Sequence, residues 1–355
     1  MPVLKIVLYC FSAFALISVL IPFVKKDYWV FRIFDYPRLQ KLSIIAILCV
    51  LWLLFFRMPD NWWDEAVVSA LLVSFGYLSY LVIPFTPLGK KMIEAVKEPF
   101  DKPCLNLLVS NIYQHNRHYQ KLLDLVAERN PDLIFLLETD RQWMENVQQL
   151  KKTYPHCIEI PKENTYGLLF YSKFKLEHTE INYLIDEEVP SIIADITFDN
   201  RTVRVYGLHP TPPVPQENSH STDRDAEILM VGKMAKEHKG PCLVFGDLND
   251  VAWSYTTELF LKSSGLLDPR RGRGMYSTFH AKYPLLRWPL DHYFLSSHFR
   301  LVRIKVEKNI NSDHFPISIC LVLSHKDEEN QMEADADEKA LADEKIAAGI
   351  NNEPL

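Results

Sequence analysis

Apolar positions along this chain fall into two regimes. Up to about Phe85 they come in long unbroken runs, and from about Cys104 onward they come in bursts of four to seven residues between polar stretches. Three runs stand out: "VLKIVLYCFSAFALISVLIPFV", "LSIIAILCVLWLLFF" and "AVVSALLVSFGYLSYLVIPF". A bilayer core takes roughly 20 helical residues. The first and third runs reach that directly, and the second reaches it once its flanks are included. Lys41 and Arg57 bracket the second run, while Trp29, Trp62 and Trp63 fall where interfacial aromatics fall. Residues 1–88 therefore read as three transmembrane helices; a cleaved signal peptide explains the first run alone, not three.

A linker over 89–103, rich in proline and charge, leads into a different pattern. "CLNLLVSNIY" is strand-like and ends near Asn111. "YQKLLDLVAERNPD" has helical spacing of Leu122, Leu123, Leu125 and Val126, and "LIFLLET" is a second buried strand reaching Glu138. Further strand-like runs follow in "YGLLFYSKFKL", "IIADITF", "TVRVYGLHP", "PCLVFGDLND", "PLDHYFLS" and "NSDHFPISICLVL". Strand, helix, strand, with polar side chains delivered at strand ends, is how an α/β domain builds a site. Such a domain is expected over 104–324, and the remaining 325–355 is too poor in large apolar residues to build a core, so it reads as a disordered tail or a loose exposed helix.

Charge sharpens this division. The 355 residues carry a net charge of −6, distributed as +3 over 1–99, −2 over 100–324 and −7 over the tail. A near-neutral middle argues against tight non-specific nucleic-acid binding, which rests on Lys and Arg at phosphates. Lys25, Lys26, Arg32, Arg38 and Lys41 crowd the first loop, Arg57 alone marks the second, and Lys90, Lys91 and Lys97 follow the third span. The positive-inside rule puts the first loop and the domain after the third span in the cytoplasm. The six cysteines have neither disulfide-framework nor zinc-site spacing and read as buried, inert thiols.

The strand-end residues, taken singly, are weak signals. Asp-Leu-Asn after a strand is commonly a turn, His209 before a proline can be a core imidazole, and Glu138 can cap a helix. Taken in order, Asn111 in "SNIY", Glu138 in "LLET", His209 in "YGLHP", Asp247 and Asn249 in "GDLND", Asp291 with His292 in "LDHYF", and Asp313 with His314 in "SDHFPI" resemble the endonuclease/exonuclease/phosphatase superfamily. The resemblance spans nearly all of 104–323. It implies an α/β (α+β) fold, the four-layer α/β/β/α sandwich of the DNase I-like fold, here preceded by three transmembrane helices. It also implies a hydrolase of phosphate esters with its site at one edge of the sandwich.

Within that resemblance Glu138, Asn111 and Asp313 are the expected ligands of Mg2+, or of Mn2+ in its place. His314 is the expected base toward water, oriented by Asp291; Asp247 and Asn249 orient the nucleophile or hold a second metal, and His209 donates to the phosphate. Ser110 stands where many relatives carry tryptophan and Tyr113 where some nucleases place an aspartate, which puts a nuclease-type second metal ligand in doubt.

Gly167, Ser172, Trp253 and Thr278 in their local motifs, with the three spans, are similar to a membrane-anchored bacterial branch that includes teicoplanin-resistance membrane proteins. That branch implies an extracytoplasmic site in the bacterial cell membrane acting on lipid-linked pyrophosphate, against the side given by the charge count. Arg270, Arg271 and Arg273 in "PRRGRG" are then candidates to clamp a diphosphate, and Arg224 to contact a phosphate oxygen; each can equally be a solvated arginine. The expected partners are the bilayer and a phosphorylated lipid such as undecaprenyl pyrophosphate. A membrane-bound nuclease and a non-catalytic binding module are the alternatives.

Overall fold

The computed structural model describes residues 2–55, 61–96, 101–326 and 329–354. Arg57 and Lys97, two of the charges weighed for topology, lie outside the described residues. Helices α1 (Pro2–Leu20), α3 (Arg38–Phe55) and α4 (Trp62–Val82) form an N-terminal bundle, with the short α2 (Trp29–Arg32) in the loop between the first two long helices. Three stretches, Val3–Phe23, Arg38–Phe55 and Trp62–Phe85, are long and apolar enough to cross a membrane. Leu8, Ala15, Ile45, Leu48, Trp52, Leu71 and Leu78 pack between the helices. Phe11, Phe14, Leu53, Leu54, Leu72 and Val73 point outward and are exposed, as a lipid-facing surface requires.

The rest of the chain adds β1 (Leu105–Asn111), α5 (Tyr119–Arg129), β2 (Leu133–Leu137), α6 (Arg141–Asn146), β3 (His156–Ile160), β4 (Leu168–Ser172), β5 (Glu177–Asn182), β6 (Ser191–Phe198) and β7 (Arg201–Leu208). It continues with α7 (Thr222–Glu237), β8 (Cys242–Asp247), α8 (Tyr255–Ser264), β9 (Asp291–Leu295), β10 (Phe299–Val306), β11 (Ile317–Leu323) and α9 (Ala336–Asn351). One sheet runs β10-β11-β1-β2-β4-β3 and the other β5-β6-β7-β8-β9. The period-2 alternation of a strand decides what faces what. Leu107 and Val109 of β1, Phe135 and Leu137 of β2, and Leu243 and Phe245 of β8 meet in the core between the sheets. Leu108, Ile134 and Leu136 turn the other way, onto α5 and Trp143 of α6. Tyr206, Val244 and Phe294 likewise turn onto α7, α8 and Ile346 of α9. The result is a mixed α/β sandwich, helices outside and two sheets within.

Two expectations need correction here. The acidic tail is not loose: α9 is capped by a reciprocal Asp335–Glu338 box, and Ala342 and Ile346 are buried in the core beneath α7 and α8. Its small and charged residues conceal the helix because α9 docks through a narrow apolar stripe and through Lys345, whose ammonium is buried against Asp27 and Asp225 at 2.8 and 3.1 Å. The cysteines are not all inert thiols either. Cys104 and Cys320 form a disulfide across β1 and β11, with Cα atoms 5.8 Å apart. Their 216-residue separation hides the pair, since only the sheet brings them together.

Candidate functional site

Sheet direction gathers the polar residues at one edge of the sandwich. β1 runs parallel to β2 and β7 parallel to β8, so Asn111, Glu138, His209 and Asp247 all lie at carboxyl ends. β9 and β11 run antiparallel to β8 and β1, which brings their amino ends to the same edge: Asp247 pairs with Asp291, and Val109 pairs with Ile317 just beyond His314. Gly246 makes the closest approach possible. Its φ is +143°, and a Cβ there would lie 1.9 Å from the Leu208 carbonyl oxygen. Glu138 and Asn249 also hold positive φ, of 58° and 50°, a left-handed backbone that non-glycine residues adopt where surrounding contacts impose it.

The side chains form two rows that meet at Asp247. In one, the Asn111 amide donates to Glu138 Oε1 at 2.7 Å and to Asp247 Oδ2 at 3.0 Å. Asn111 Oδ1 accepts from the Tyr113 N–H at 3.0 Å and keeps one further lone pair. Glu138 Oε2 accepts from the Gln114 N–H at 3.2 Å. In the second row His314 Nδ1 lies 2.8 Å from Asp291 Oδ2 and its Nε2 lies 3.5 Å from Asp247 Oδ2. Ser312 ties the rows together by donating to the Asn111 carbonyl at 2.9 Å and accepting from the His314 N–H at 3.0 Å. Asn249 is turned by its amide to the Pro210 carbonyl at 2.9 Å. His209 stands against Tyr166 with ring centres 5.6 Å apart.

Burial dominates the electrostatics. It pushes the Glu138 carboxyl up to about 7, although the Asn111 amide favours its anion. Burial also raises Asp247, opposed by His314, and lowers His209, which is thereby neutral. For His314 burial disfavours the charge, but the Asp247 and Asp291 carboxylates outweigh it and raise the imidazole to about 10. Arg32, a second cation in the cavity wall, is turned away to Asp27 at 2.8 Å. The edge is therefore short of positive charge, and Asp291 Oδ1 and His209 Nδ1 are buried without a hydrogen-bond partner among the described residues. Asp247, Asp291 and His314 each offer a ligand atom within 4.8 Å of the others. The carboxylates of Glu138, Asp247 and Asp313, which line one cavity, offer the oxygen ligands that fit a hard divalent cation.

A cavity of about 580 Å3 opens onto these groups. Glu138, Asp247, Asn249, Asp313 and His314 line its floor, and Trp29, Ile33, Tyr36, Phe279, Leu286 and Trp288 are among the apolar residues of its walls. The contribution of Trp29 to Pro37 was not legible in the sequence, because nothing local marks a loop between two long apolar helices as part of a site. Backbone and side-chain bonds hold it there: the Trp29 N–H donates to the Ser219 carbonyl at 2.9 Å, Trp253 Nε1 to the Asp35 carbonyl at 2.8 Å, and the Tyr36 hydroxyl to the Asn249 carbonyl at 3.0 Å.

The expected arginine clamp is not assembled. Arg224 is buried, pairs with Asp225 at 2.7 Å and donates to the Asn249 carbonyl at 2.8 Å, so it braces the loop that carries Asn249 from behind. Arg270 is buried against Asp268 at 2.8 Å and His292 Nδ1 at 2.7 Å; His292 thus sits on the opposite face of β9 from the site. Arg271 pairs with Glu258, and Arg273 donates to the Ile93 carbonyl. Burial and nearby carboxylates, neither visible in a run of three arginines, took these side chains out of contact with the cavity.

The sequence profile of the Endonuclease/Exonuclease/phosphatase family matches residues 70–314, and the chain belongs to this family of phosphate-ester hydrolases. No curated protein matches the sequence. Among solved structures, D. rerio TDP2 complexed with single strand DNA product is similar, with a TM-score of 0.52 at 16% identity over 61% of this chain and 98% of that one. The human Nocturnin catalytic domain with bound sulfate anion gives a TM-score of 0.51 at 16% identity, covering 63% of this chain and 96% of that one. A family protein from Bacteroides thetaiotaomicron gives 0.50 at 16% identity, covering 63% and 100%. At such identities the likeness is one of fold.

Proposed function

We propose that the protein is a membrane-anchored, Mg2+-dependent phosphohydrolase whose substrate is a lipid phosphate or pyrophosphate. The observation that carries this reading is the cavity: a floor of carboxylates and imidazole under walls of tryptophan, isoleucine, leucine and phenylalanine, with part of one wall supplied by the loop between membrane helices. Nucleic-acid grooves rely on Lys and Arg along the backbone path, and this cavity has none free to do so among the described residues, since Arg32 is paired.

Glu138, with Asp313 and Asn111 beside it, would hold the cation, and Asp247 would share it or orient the water. A bound divalent cation would supply charge to the phosphoryl and leaving oxygens. Asp291 fixes His314 Nδ1 as a donor, leaving Nε2 aimed at Asp247 and the floor. His314 Nε2, once its proton has passed to solvent, would take a proton from water, and Asp291 would stabilise the imidazolium so formed. His209, neutral and unpaired at Nδ1, would donate to a phosphate oxygen.

The catalytic domain would lie on the extracytoplasmic face of a bacterial cell membrane. Disulfides such as Cys104–Cys320 persist in oxidising compartments. Of the basic residues that suggested the opposite side, Arg32 is engaged with Asp27, Arg38 with Asp35 at 3.1 Å, and Lys41 with the Phe34 carbonyl at 2.6 Å, whereas Lys25, Lys26, Lys90 and Lys91 are exposed. The test is full-length protein in detergent micelles with Mg2+, offered undecaprenyl pyrophosphate, phospholipids and plasmid DNA. Phosphate release from a lipid, abolished by chelation, is expected. Nicking of DNA without turnover of any lipid would replace this reading with a membrane-bound nuclease.

A further inference from the structure

Four exposed residues line the catalytic cavity: Pro215, Glu217 and two large apolar ones, Ile33, 53% exposed, and Leu286, 48% exposed. They therefore mark its mouth. Ile33 and Leu286 sit beside the start of the second membrane helix. Ile33 precedes Arg38, where α3 begins, by five positions, and Gln40 in the first turn of α3 donates to the Leu285 carbonyl at 2.8 Å. The loop that carries Leu286 holds its apolar residues out to solvent, with Leu285 83% and Tyr283 56% exposed and Lys282 exposed next to them. Val30 of α2 and Leu39 of α3 are exposed as well. Such side chains on a soluble surface would be an aggregation liability, whereas aromatic and leucine residues flanked by lysine suit the boundary between headgroups and acyl chains.

We propose that the mouth of the catalytic cavity is seated in the bilayer surface, with Tyr283, Leu285 and Leu286 inserted at the headgroup–acyl boundary, so that a lipid phosphate moves sideways between Ile33 and Leu286 into the site. The occupant of this apolar rim is the same bilayer that α1, α3 and α4 cross, because the Gln40–Leu285 bond makes the rim continuous with the membrane-facing surface of α3. The headgroup would reach the carboxylate floor while its chains rest against Trp29, Phe279 and Trp288 and never leave an apolar surrounding. This inference rests on the lipid reading of the substrate for the gateway, but on the structure alone for the seating of the loop.

The test uses full-length protein in phosphatidylethanolamine–phosphatidylglycerol vesicles. Leu285→Cys and, as a control on the exposed strand β5, Glu177→Cys are labelled with a polarity-sensitive fluorophore, and the signal of the similarly treated parent chain is subtracted. Expected are blue-shifted emission at 285 and quenching by spin-labelled lipid, with neither at 177. In parallel, Leu285→Asp is expected to lower kcat/KM for a vesicle-held lipid phosphate about tenfold or more, the scale of one leucine's burial, and to leave hydrolysis of a water-soluble aryl phosphate ester unchanged. Water-like emission without quenching at 285 overturns the seating. Equal loss on both substrates, or on neither, overturns the gateway. Quenching at 285 in a parent protein that turns over only soluble esters or DNA keeps the seating and removes the lipid substrate.

Discussion

Asp27→Asn is a demanding perturbation, because Asp27 lies in a buried network that joins three distant parts of the chain. Its carboxylate accepts from Arg32 and Lys345, each at 2.8 Å, and from the Thr222 hydroxyl at 3.1 Å. Asp225 shares Lys345 at 3.1 Å and Arg32 at 3.6 Å and pairs with Arg224 at 2.7 Å, while Arg224 also faces Asp250 at 3.5 Å. Three carboxylates balance three cations, and every one of these side chains is 6% exposed or less. Removing one charge leaves an uncompensated buried cation, which costs about 3–5 kcal/mol. For a domain of this size that lowers Tm by roughly 10 °C. Arg224 and Tyr36 both hold the Asn249 carbonyl, so activity should fall with stability. Asp27→Asn/Lys345→Met removes one charge of each sign and should recover at least ~1 kcal/mol relative to the sum of the single variants. Thermal unfolding in detergent, followed by tryptophan fluorescence, measures all four proteins. Strict additivity would refute the network as a coupled unit.

Glu138→Gln and His314→Gln should each reduce turnover by about 10²–10⁴-fold with the fold retained, as checked by phosphate release beside circular dichroism; retained turnover would remove these residues from catalysis, and a cellular phenotype that survives loss of His314 would favour a binding module. The metal-free protein should lose stability as pH rises. Glu138 is raised from 4.5 to about 7, so the folded state binds this proton more tightly and loses about 3 kcal/mol between those values. His314, raised from 6.5 to about 10, contributes stability that is complete below 6.5 and lost as pH passes 10. Mg2+ should offset the Glu138 part, with affinity that weakens as pH falls below about 7 because the proton competes; calorimetric titration at two pH values reads this, and Glu138→Gln should flatten it. Reduction of Cys104–Cys320, which closes a 216-residue separation, should cost up to about 5 kcal/mol by chain entropy; thiol titration of oxidised protein finding six free thiols would exclude the bond.

Much of the catalytic edge was legible because its residues end buried strands. The short apolar runs of "LIFLLET" and "PCLVFGD", each closed by an acid, are enough to put Glu138 and Asp247 at strand ends. What was hidden shares a physical cause: it depends on contacts between segments remote in sequence. β5 is polar and exposed nearly throughout, so no alternation marks it. α7 buries Arg224, Asp225 and Glu227 among its apolar residues, which erases an amphipathic pattern. The three arginines of "PRRGRG" look like a phosphate clamp until Asp268 and Glu258 are found beside two of them and the Ile93 carbonyl beside the third. The wall formed by Trp29 to Pro37 had no local signal at all.

The Lys345–Asp27 bond spans 318 positions. During synthesis, Asp27 precedes Lys345, and every other member of the network lies between them in the chain. Until then the loop that walls the cavity has a buried carboxylate without its full complement of cations, and the brace on Asn249 is incomplete. The long apolar helices and the loop that walls the cavity are thus made before the lysine that completes the charge balance behind them. The charge balance beneath the cavity wall therefore waits on a lysine 318 positions downstream of the carboxylate it joins.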